Sequence, residues 1–181
     1  LQKLKIPIFL DLKIHDIPQT VKKTIDTLSS LKPEILNVHA LGGKKMMQFA
    51  LESLSNNSPH TQLVAVTILT SLDDNDLQMM EMNTSTKNLV SSLAKLTKKS
   101  GLSGVVCSSE EIKLVREVCG KNFKIIVPGI RPEGSDKNDQ KRTMTPKEAI
   151  SLGADHLVIG RPITESKDPR KTAIEIVNSI Q

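Results

Sequence analysis

The sequence predicts an α/β fold of parallel strands and favours a closed (β/α)8 (TIM) barrel, with about six of the eight units present. Short apolar, β-branched runs alternate with segments of helical spacing along the 181 residues. No GxGxxG or GxxxxGK(S/T) motif follows a run, so the usual nucleotide signatures of an open doubly wound sheet are missing. Most runs end in side chains that can bind or react, as barrel strands do at their active-site end. We expect one domain over residues 1–181.

Six apolar runs are predicted to be strands. Their near-continuous hydrophobicity is typical of parallel strands that are covered by helices on both faces. They span residues 6–14, 34–39, 62–70, 104–107, 123–127 and 156–159.

Segments with three-to-four-residue spacing fall between and after these strands and predict helices. In "TPKE", Thr145 has the place of an N-cap and Glu148 stands three residues on, which is the pattern of a capping box. In "DPRK", Asp168 and Pro169 predict the start of the last helix. The predicted helices span residues 18–31, 44–54, 87–99, 110–119, 146–152 and 169–180.

Composition excludes several classes of function. No apolar run approaches the length of a membrane span. With no Trp, no Tyr and three Phe, the chain lacks the stacking platforms of single-strand nucleic-acid binders, and its net charge of +5 suits a small anionic ligand better. Cys107 and Cys119 lack metal-ligand spacing, so we interpret them as reduced core thiols of a cytoplasmic protein.

The first strand carries charges at Asp11 and Lys13. Regular alternation would put both on one face, and both faces of this run are otherwise apolar, so the charges are expected on a covered face. Buried charges cost several kcal/mol unless they are paired. The pattern therefore favours a Lys ammonium held by carboxylates for proton transfer over a structural ion pair. Asp16 alone fits a helix cap better.

Two segments suggest an anion site. In "VIGRPIT", Gly160 and Arg161 follow the last strand, where barrels often bind phosphate and where Arg offers a bidentate fork. The long polar loop 128–144, which includes Arg131 and Gln140, could fold over such an anion or remain a solvated loop.

Two further signals are weaker. Thr70, in "TILTS", stands at a strand end and could contact a polar ring edge or begin a turn. His39 is isolated and fits a satisfied core imidazole better than a base. No group of His, Cys, Asp or Glu has the spacing of a metal site.

Taken together, "DLKIHDIPQT", "TILTS", "PGIRPEGSDKNDQKR" and "VIGRPIT" resemble the bacterial type of orotidine 5′-phosphate decarboxylase. Four separated motifs in the right order make the resemblance specific, and it runs along the whole chain. It implies a TIM barrel that acts as a homodimer and converts orotidine 5′-monophosphate to UMP and CO2 in pyrimidine biosynthesis. It also implies that no metal and no cofactor takes part.

The resemblance implies roles for the residues of the first strand and of the segment after it. Lys13 would protonate C6 of the pyrimidine, and Asp11 would lie beside the departing carboxylate and hold Lys13. Asp16, Ile17 and Thr20 would be contributed across the dimer interface, with Thr20 directed toward the ribose.

The resemblance also implies the remaining substrate contacts. Thr70 would contact the pyrimidine, Arg131 and Gln140 would belong to a loop that closes over the phosphate, and the fixed phosphate site would comprise Gly160 and Arg161.

The family pattern also has two strand–helix units ahead of the first strand found here. They carry a ribose-binding Asp and a second Lys, so we expect this chain to begin part-way through the barrel and to lack part of the site. Two alternatives stay open. One is a Mg²⁺-dependent relative such as hexulose-phosphate synthase or keto-gulonate-phosphate decarboxylase, which shares the Asp-x-Lys-x-x-Asp strand. The other is a catalytically silent nucleotide-binding relative.

Overall fold

A computed structural model describes residues 6–132 and 144–180. The chain divides into two compact units: the first takes in the residues up to Thr67 together with residues 91–105, and the second takes in the rest. No helix in the described part of the chain is both long and apolar enough to cross a membrane.

Strands and helices alternate along the chain, with short 3₁₀ turns at Ser29–Leu31, Ala40–Gly42 and Ser109–Glu111. In chain order the elements are β1 (Phe9–Ile14), α1 (Pro18–Leu28), β2 (Ile35–His39), α2 (Gly43–Asn57), β3 (Gln62–Val66), α3 (Asp74–Met79), α4 (Thr86–Lys99), β4 (Gly104–Val106), α5 (Ile112–Cys119), β5 (Lys124–Val127), α6 (Pro146–Ser151), β6 (His156–Leu157), α7 (Arg161–Thr164) and α8 (Pro169–Ser179).

In the first unit the strands lie side by side in chain order and pair in parallel. β2 and β3 keep a regular register from Ile35 opposite Gln62 to His39 opposite Val66. α1 packs on α2 through side chains that are almost fully buried, including Val21, Ile25 and Met46. Each large aliphatic side chain buried in this way contributes about 1.5–3 kcal/mol.

In the second unit β5 and β6 pair in parallel, with Ile126 opposite His156. Arg116 of α5 fixes the chain around this pair. Its guanidinium donates to the carbonyl oxygens of Gly120, Lys121, Phe123 and Gly153 and to Asp155 Oδ2, at 2.6–2.9 Å.

Asp155 makes a further hydrogen bond in the same network. Its Oδ2 also accepts the backbone N–H of Ile125 at 2.8 Å. Burial by itself would raise the pKa of Asp155, but the hydrogen bonds from Ile125 and Arg116 and the charges of Arg116 and Lys124 outweigh burial and hold the pKa below its usual 3.8.

All six strands are found where they were predicted, although several are shorter than the apolar runs. The run predicted as a strand over 62–70 ends as a strand at Val66. Two helices, α3 and α7, were missed because six and four residues are too short to show a helical period.

The predicted start signals and the burial of both cysteines are confirmed. Thr145 and Glu148 form a reciprocal capping box, and the Asp168 side chain accepts the N–H of Lys171 at the start of α8. Cys107 and Cys119 are buried free thiols. The single domain over residues 1–181 stays a prediction.

Candidate active site

The candidate site is built on an irregularity in β1. Leu10 pairs with Leu36 and Ile14 pairs with Val38, so Asp11, Leu12 and Lys13 together stand opposite Asn37. Extra residues on one strand form a bulge, which interrupts the ladder and redirects side chains. The regular alternation predicted for this strand is therefore wrong at the residues that carry the charges.

Lys13 has a left-handed backbone conformation, with φ of 51°. This region is unfavourable for a residue with a Cβ by roughly 1–2 kcal/mol. The strand thus holds its Lys in a conformation that an ordinary surface ion pair would not need. Strain of this kind concentrates at functional sites.

Asp11 and Lys13 form an ion pair at this bulge. Lys13 Nζ lies 2.7 Å from both Asp11 Oδ1 and Asp11 Oδ2. The two side chains are 41% and 40% exposed, and Leu12 between them is 50% exposed. Among the described residues these side chains are therefore not covered, and the expectation of charges on a covered face is wrong.

Asn37 of β2 contacts both members of the pair and was missed by the sequence reasoning. Its Oδ1 accepts the backbone N–H of Lys13 at 2.7 Å, and its Nδ2 donates to Asp11 Oδ1 at 2.5 Å. The side chain is fully buried. The signal that could have revealed it is a lone amide in the apolar run "ILNVH".

His39, at the end of the same strand, lies beside His15, with ring centroids 5.3 Å apart. Its Nδ1 is buried and has no hydrogen-bond partner among the described residues, so the expectation of a satisfied imidazole is wrong. Burial, then the charges of His15 and Lys13, hold the pKa of His39 below its usual 6.5.

The three residues expected to cross to a partner subunit lie on the surface of the first unit. Ile17 is 67% exposed, and Asp16 and Thr20 are exposed as well. Asp16 Oδ1 accepts the N–H of Ile17 at 2.7 Å. The N-cap of α1 is Ile17, without a side-chain cap, so the helix-cap interpretation of Asp16 is wrong.

The remaining predicted site residues belong to the second unit. Arg131 is buried, with its guanidinium donating to the carbonyl oxygen of Ile130 and its own N–H to that of Met144. Thr70 lies in a turn beyond β3. Gly160 caps α7, Arg161 begins it, and a Cβ built on Gly160 would meet no described atom within 4 Å. Gln140 lies outside the described residues.

The model of a known family, described as the orotidine 5′-phosphate decarboxylase / HUMPS family, matches residues 1–176. The chain belongs to this family.

Two curated relatives and a solved structure support the same family. The orotidine 5′-phosphate decarboxylase of Glaesserella parasuis serovar 5 is 48% identical over 183 residues, covering 99% of this chain and 79% of that protein. That of Alcanivorax borkumensis is 44% identical over 180 residues, covering 99% and 78%. The crystal structure of orotidine 5′-phosphate decarboxylase from Lactobacillus acidophilus is 38% identical, with a TM-score of 0.86 over 99% of this chain and 78% of that one.

Membership of the orotidine 5′-phosphate decarboxylase / HUMPS family confirms the resemblance seen in the motifs and the prediction of a carbon–carbon lyase. The match to a solved structure of this family also confirms the (β/α)8-barrel fold class in place of the doubly wound alternative, with six strands in the described part of the chain. The roles of the individual site residues stay predictions. Among the described residues, no group of three His, Cys, Asp or Glu side chains could hold a metal ion.

Proposed function

We propose that this protein decarboxylates orotidine 5′-monophosphate to UMP and CO2 without a metal or cofactor, in the cytoplasmic synthesis of pyrimidines. The observation that carries the proposal is the Asp11–Lys13 pair, in which a strained bulge holds an ammonium against a carboxylate at 2.7 Å. The names of the relatives support the substrate.

The chemistry asks for a fixed proton donor. When the bond between C6 and the carboxylate carbon breaks, the electron pair stays at C6 and CO2 leaves. The Lys13 ammonium stabilises that charge and gives C6 a proton, which leaves a neutral amine to be reprotonated by solvent. A donor that is already oriented needs no reorganisation as the charge develops, and such preorganisation is usually the largest catalytic contribution.

Asp11 keeps this donor in place. Because both of its oxygens lie 2.7 Å from Lys13 Nζ, the carboxylate fixes the ammonium in position. The third N–H of the ammonium is then left for the reacting carbon.

We propose that residues of the second unit bind the phosphate and the pyrimidine of the substrate. We propose that Gly160 and Arg161 bind the phosphate, because open space above Gly160 lets an anion approach the backbone at the first residue of α7. Arg131 and Gln140 close over the phosphate, and Thr70 contacts the pyrimidine. Binding energy from the remote phosphate can then serve the reaction at C6.

The enzyme acts as a homodimer in this proposal, with Asp16, Ile17 and Thr20 completing the partner's site. An Ile that is 67% exposed beside an exposed Asp is better explained by an interface than by solvent.

Turnover of orotidine 5′-monophosphate by the full-length protein, followed by loss of substrate absorbance in the presence of a chelator, tests the reaction. We expect robust turnover that falls about 10⁴-fold in Lys13→Ala. Lys22→Ala is the matched control, because it breaks a 2.7 Å Lys–Glu pair in the same unit and should leave turnover unchanged.

Other outcomes point to the alternatives. Turnover of a sugar phosphate that requires Mg²⁺ would support the metal-dependent relatives in this family. Tight binding of UMP by a folded protein that turns nothing over would support the silent nucleotide binder. Either result would overturn the proposal.

Subunit mixing tests the shared site. Lys13→Ala and Asp16→Ala are each expected to be nearly inactive, since each removes a group from every site. Random pairing of the two should restore about a quarter of the parent's sites, because each mixed dimer contains one intact site. A mixture that stays inactive after verified exchange of subunits would place Asp16 in the same site as its own Lys13.

A further inference from the structure

We propose that Asn37 is the positioning residue of the reaction: its buried amide holds the β1 bulge and aims both Asp11 and Lys13. This inference rests on the function proposed above. It concerns a residue that touches the catalytic pair and is itself closed off from solvent.

The first bond of Asn37 acts on the backbone. In a regular parallel pair, alternate N–H groups of β1 would donate to carbonyl oxygens of β2, but the bulge breaks this ladder between Leu10 and Ile14. Asn37 Oδ1 accepts the N–H of Lys13 at 2.7 Å and so replaces the missing ladder bond. The left-handed conformation of Lys13 is thereby held by a specific partner.

The second bond acts on the carboxylate. Asn37 Nδ2 donates to Asp11 Oδ1 at 2.5 Å, and the same oxygen lies 2.7 Å from Lys13 Nζ. One amide therefore fixes the donor's backbone and the carboxylate that holds the donor's charge. The two contacts also fix the amide's orientation, since the N–H needs an acceptor and the carboxylate needs a donor.

The amide is itself rigid. Asn37 sits in the regular register of β2, opposite Val64 of β3, and its side chain is completely buried. A site built on a strand and locked by packing holds its geometry better than one on a loop. Among side chains of this size, Asp lacks the donor and Leu lacks both groups, so neither replaces Asn.

The test compares Asn37→Ala with Asn57→Ala in the full-length protein. Asn57 is the matched control, because its Nδ2 donates to Asp26 in the same unit, outside the site. We expect Asn37→Ala to lower kcat for orotidine 5′-monophosphate about 10–100-fold, with UMP affinity within about 3-fold of the parent. Asn57→Ala should leave kcat unchanged.

Asn37→Asp separates the two bonds. It keeps an acceptor for the Lys13 N–H but sets a second carboxyl against Asp11, whose carboxylate is paired with the Lys13 ammonium. On the neighbouring strand β3 the residue opposite position 37 is the apolar Val64, and the titratable His39 lies two residues further along β2. Two carboxyls in contact share one proton. The activity of Asn37→Asp should therefore rise relative to the parent as the pH falls, which a purely structural role would not produce.

Two results overturn the inference while the proposed function stands. The first is that the parent is active and Asn37→Ala has the same kcat. The second is that the activity of Asn37→Asp changes with pH in parallel with that of the parent. If the folded parent does not turn over, the proposed function fails instead. The Lys13 amide and Nζ resonances in NMR spectra then decide the positioning: both should move in Asn37→Ala and neither in Asn57→Ala, and unmoved resonances would reject it.

Discussion

The Lys13–Asp11 ion pair of the first unit and the Arg116–Asp155 ion pair of the second unit are built differently. Lys13 and Asp11 meet at a strained bulge, with both side chains about 40% exposed. Arg116 and Asp155 meet at 2.8 Å, with side chains 21% and 24% exposed. The Arg116 guanidinium also bonds four backbone carbonyls, and Asp155 also accepts a backbone N–H.

We infer a different role for each pair from this difference. Arg116 and Asp155 form hydrogen bonds with backbone groups around β5 and β6, so we assign this pair to stabilising the fold. The Lys13 pair includes a residue with an unfavourable backbone conformation, and its ammonium is partly exposed, as the proposed role of proton donor requires. An ion pair read from sequence does not reveal which kind it is, whereas its backbone partners do.

The largest effect should come from breaking the structural pair. Arg116→Ala removes the guanidinium donor from Asp155 and from four backbone carbonyl oxygens, and we expect a loss of about 3 kcal/mol in the free energy of unfolding. Denaturant titration measures it, with the exposed Arg170→Ala as control. A loss no greater than that of the control would refute the structural role.

Acid should weaken the same pair. The folded pKa of Asp155 lies below its usual value, so its stabilisation is complete above about pH 4 and is lost as the pH falls through the folded value. Asp155→Asn should cost about 2 kcal/mol at pH 7 and should flatten this part of the acid unfolding profile. Parallel profiles for parent and variant would show that Asp155 is not responsible.

The backbone strain at Lys13 predicts a smaller effect, in which a substitution to Gly is less destabilising than one to Ala. Lys13→Gly and Lys13→Ala both remove the ion pair, but Gly adopts positive φ without a steric penalty. We expect Lys13→Gly to be more stable than Lys13→Ala by about 1 kcal/mol, with both inactive. Equal stabilities, or a more stable Ala variant, would mean that position 13 is not strained.

The smallest effect concerns His39. Its folded pKa lies below 6.5, so the unfolded chain takes up a proton first, and stability should fall modestly as the pH drops below about 6.5. NMR titration of the imidazole measures the pKa directly. Lys13→Ala should raise it, because one of the positive charges that lower it is removed. A pKa above 6.5 in the parent would contradict the burial of this ring.

The fold was predictable because it depends on regular periodicity. Strand–helix alternation placed all six strands, and the capping signals at Thr145 and Asp168 placed two helix starts. The site was predictable only in its residue types. Alternation assumes an unbroken ladder, so it misplaced Asp11 and Lys13, and it could not single out Asn37, whose role depends on a bulge in a neighbouring strand.

The same substitution at the two pairs tests the central claim most directly. Turnover per folded molecule is compared for Asp11→Asn and Asp155→Asn, at a temperature where both are folded. We expect Asp11→Asn to lose at least about 100-fold, since the donor loses the charge that fixes it. Asp155→Asn should stay within about 3-fold of the parent, because it acts only on stability. Equal losses in the two variants, or a larger loss in Asp155→Asn, would contradict the division of the two pairs into catalysis and fold.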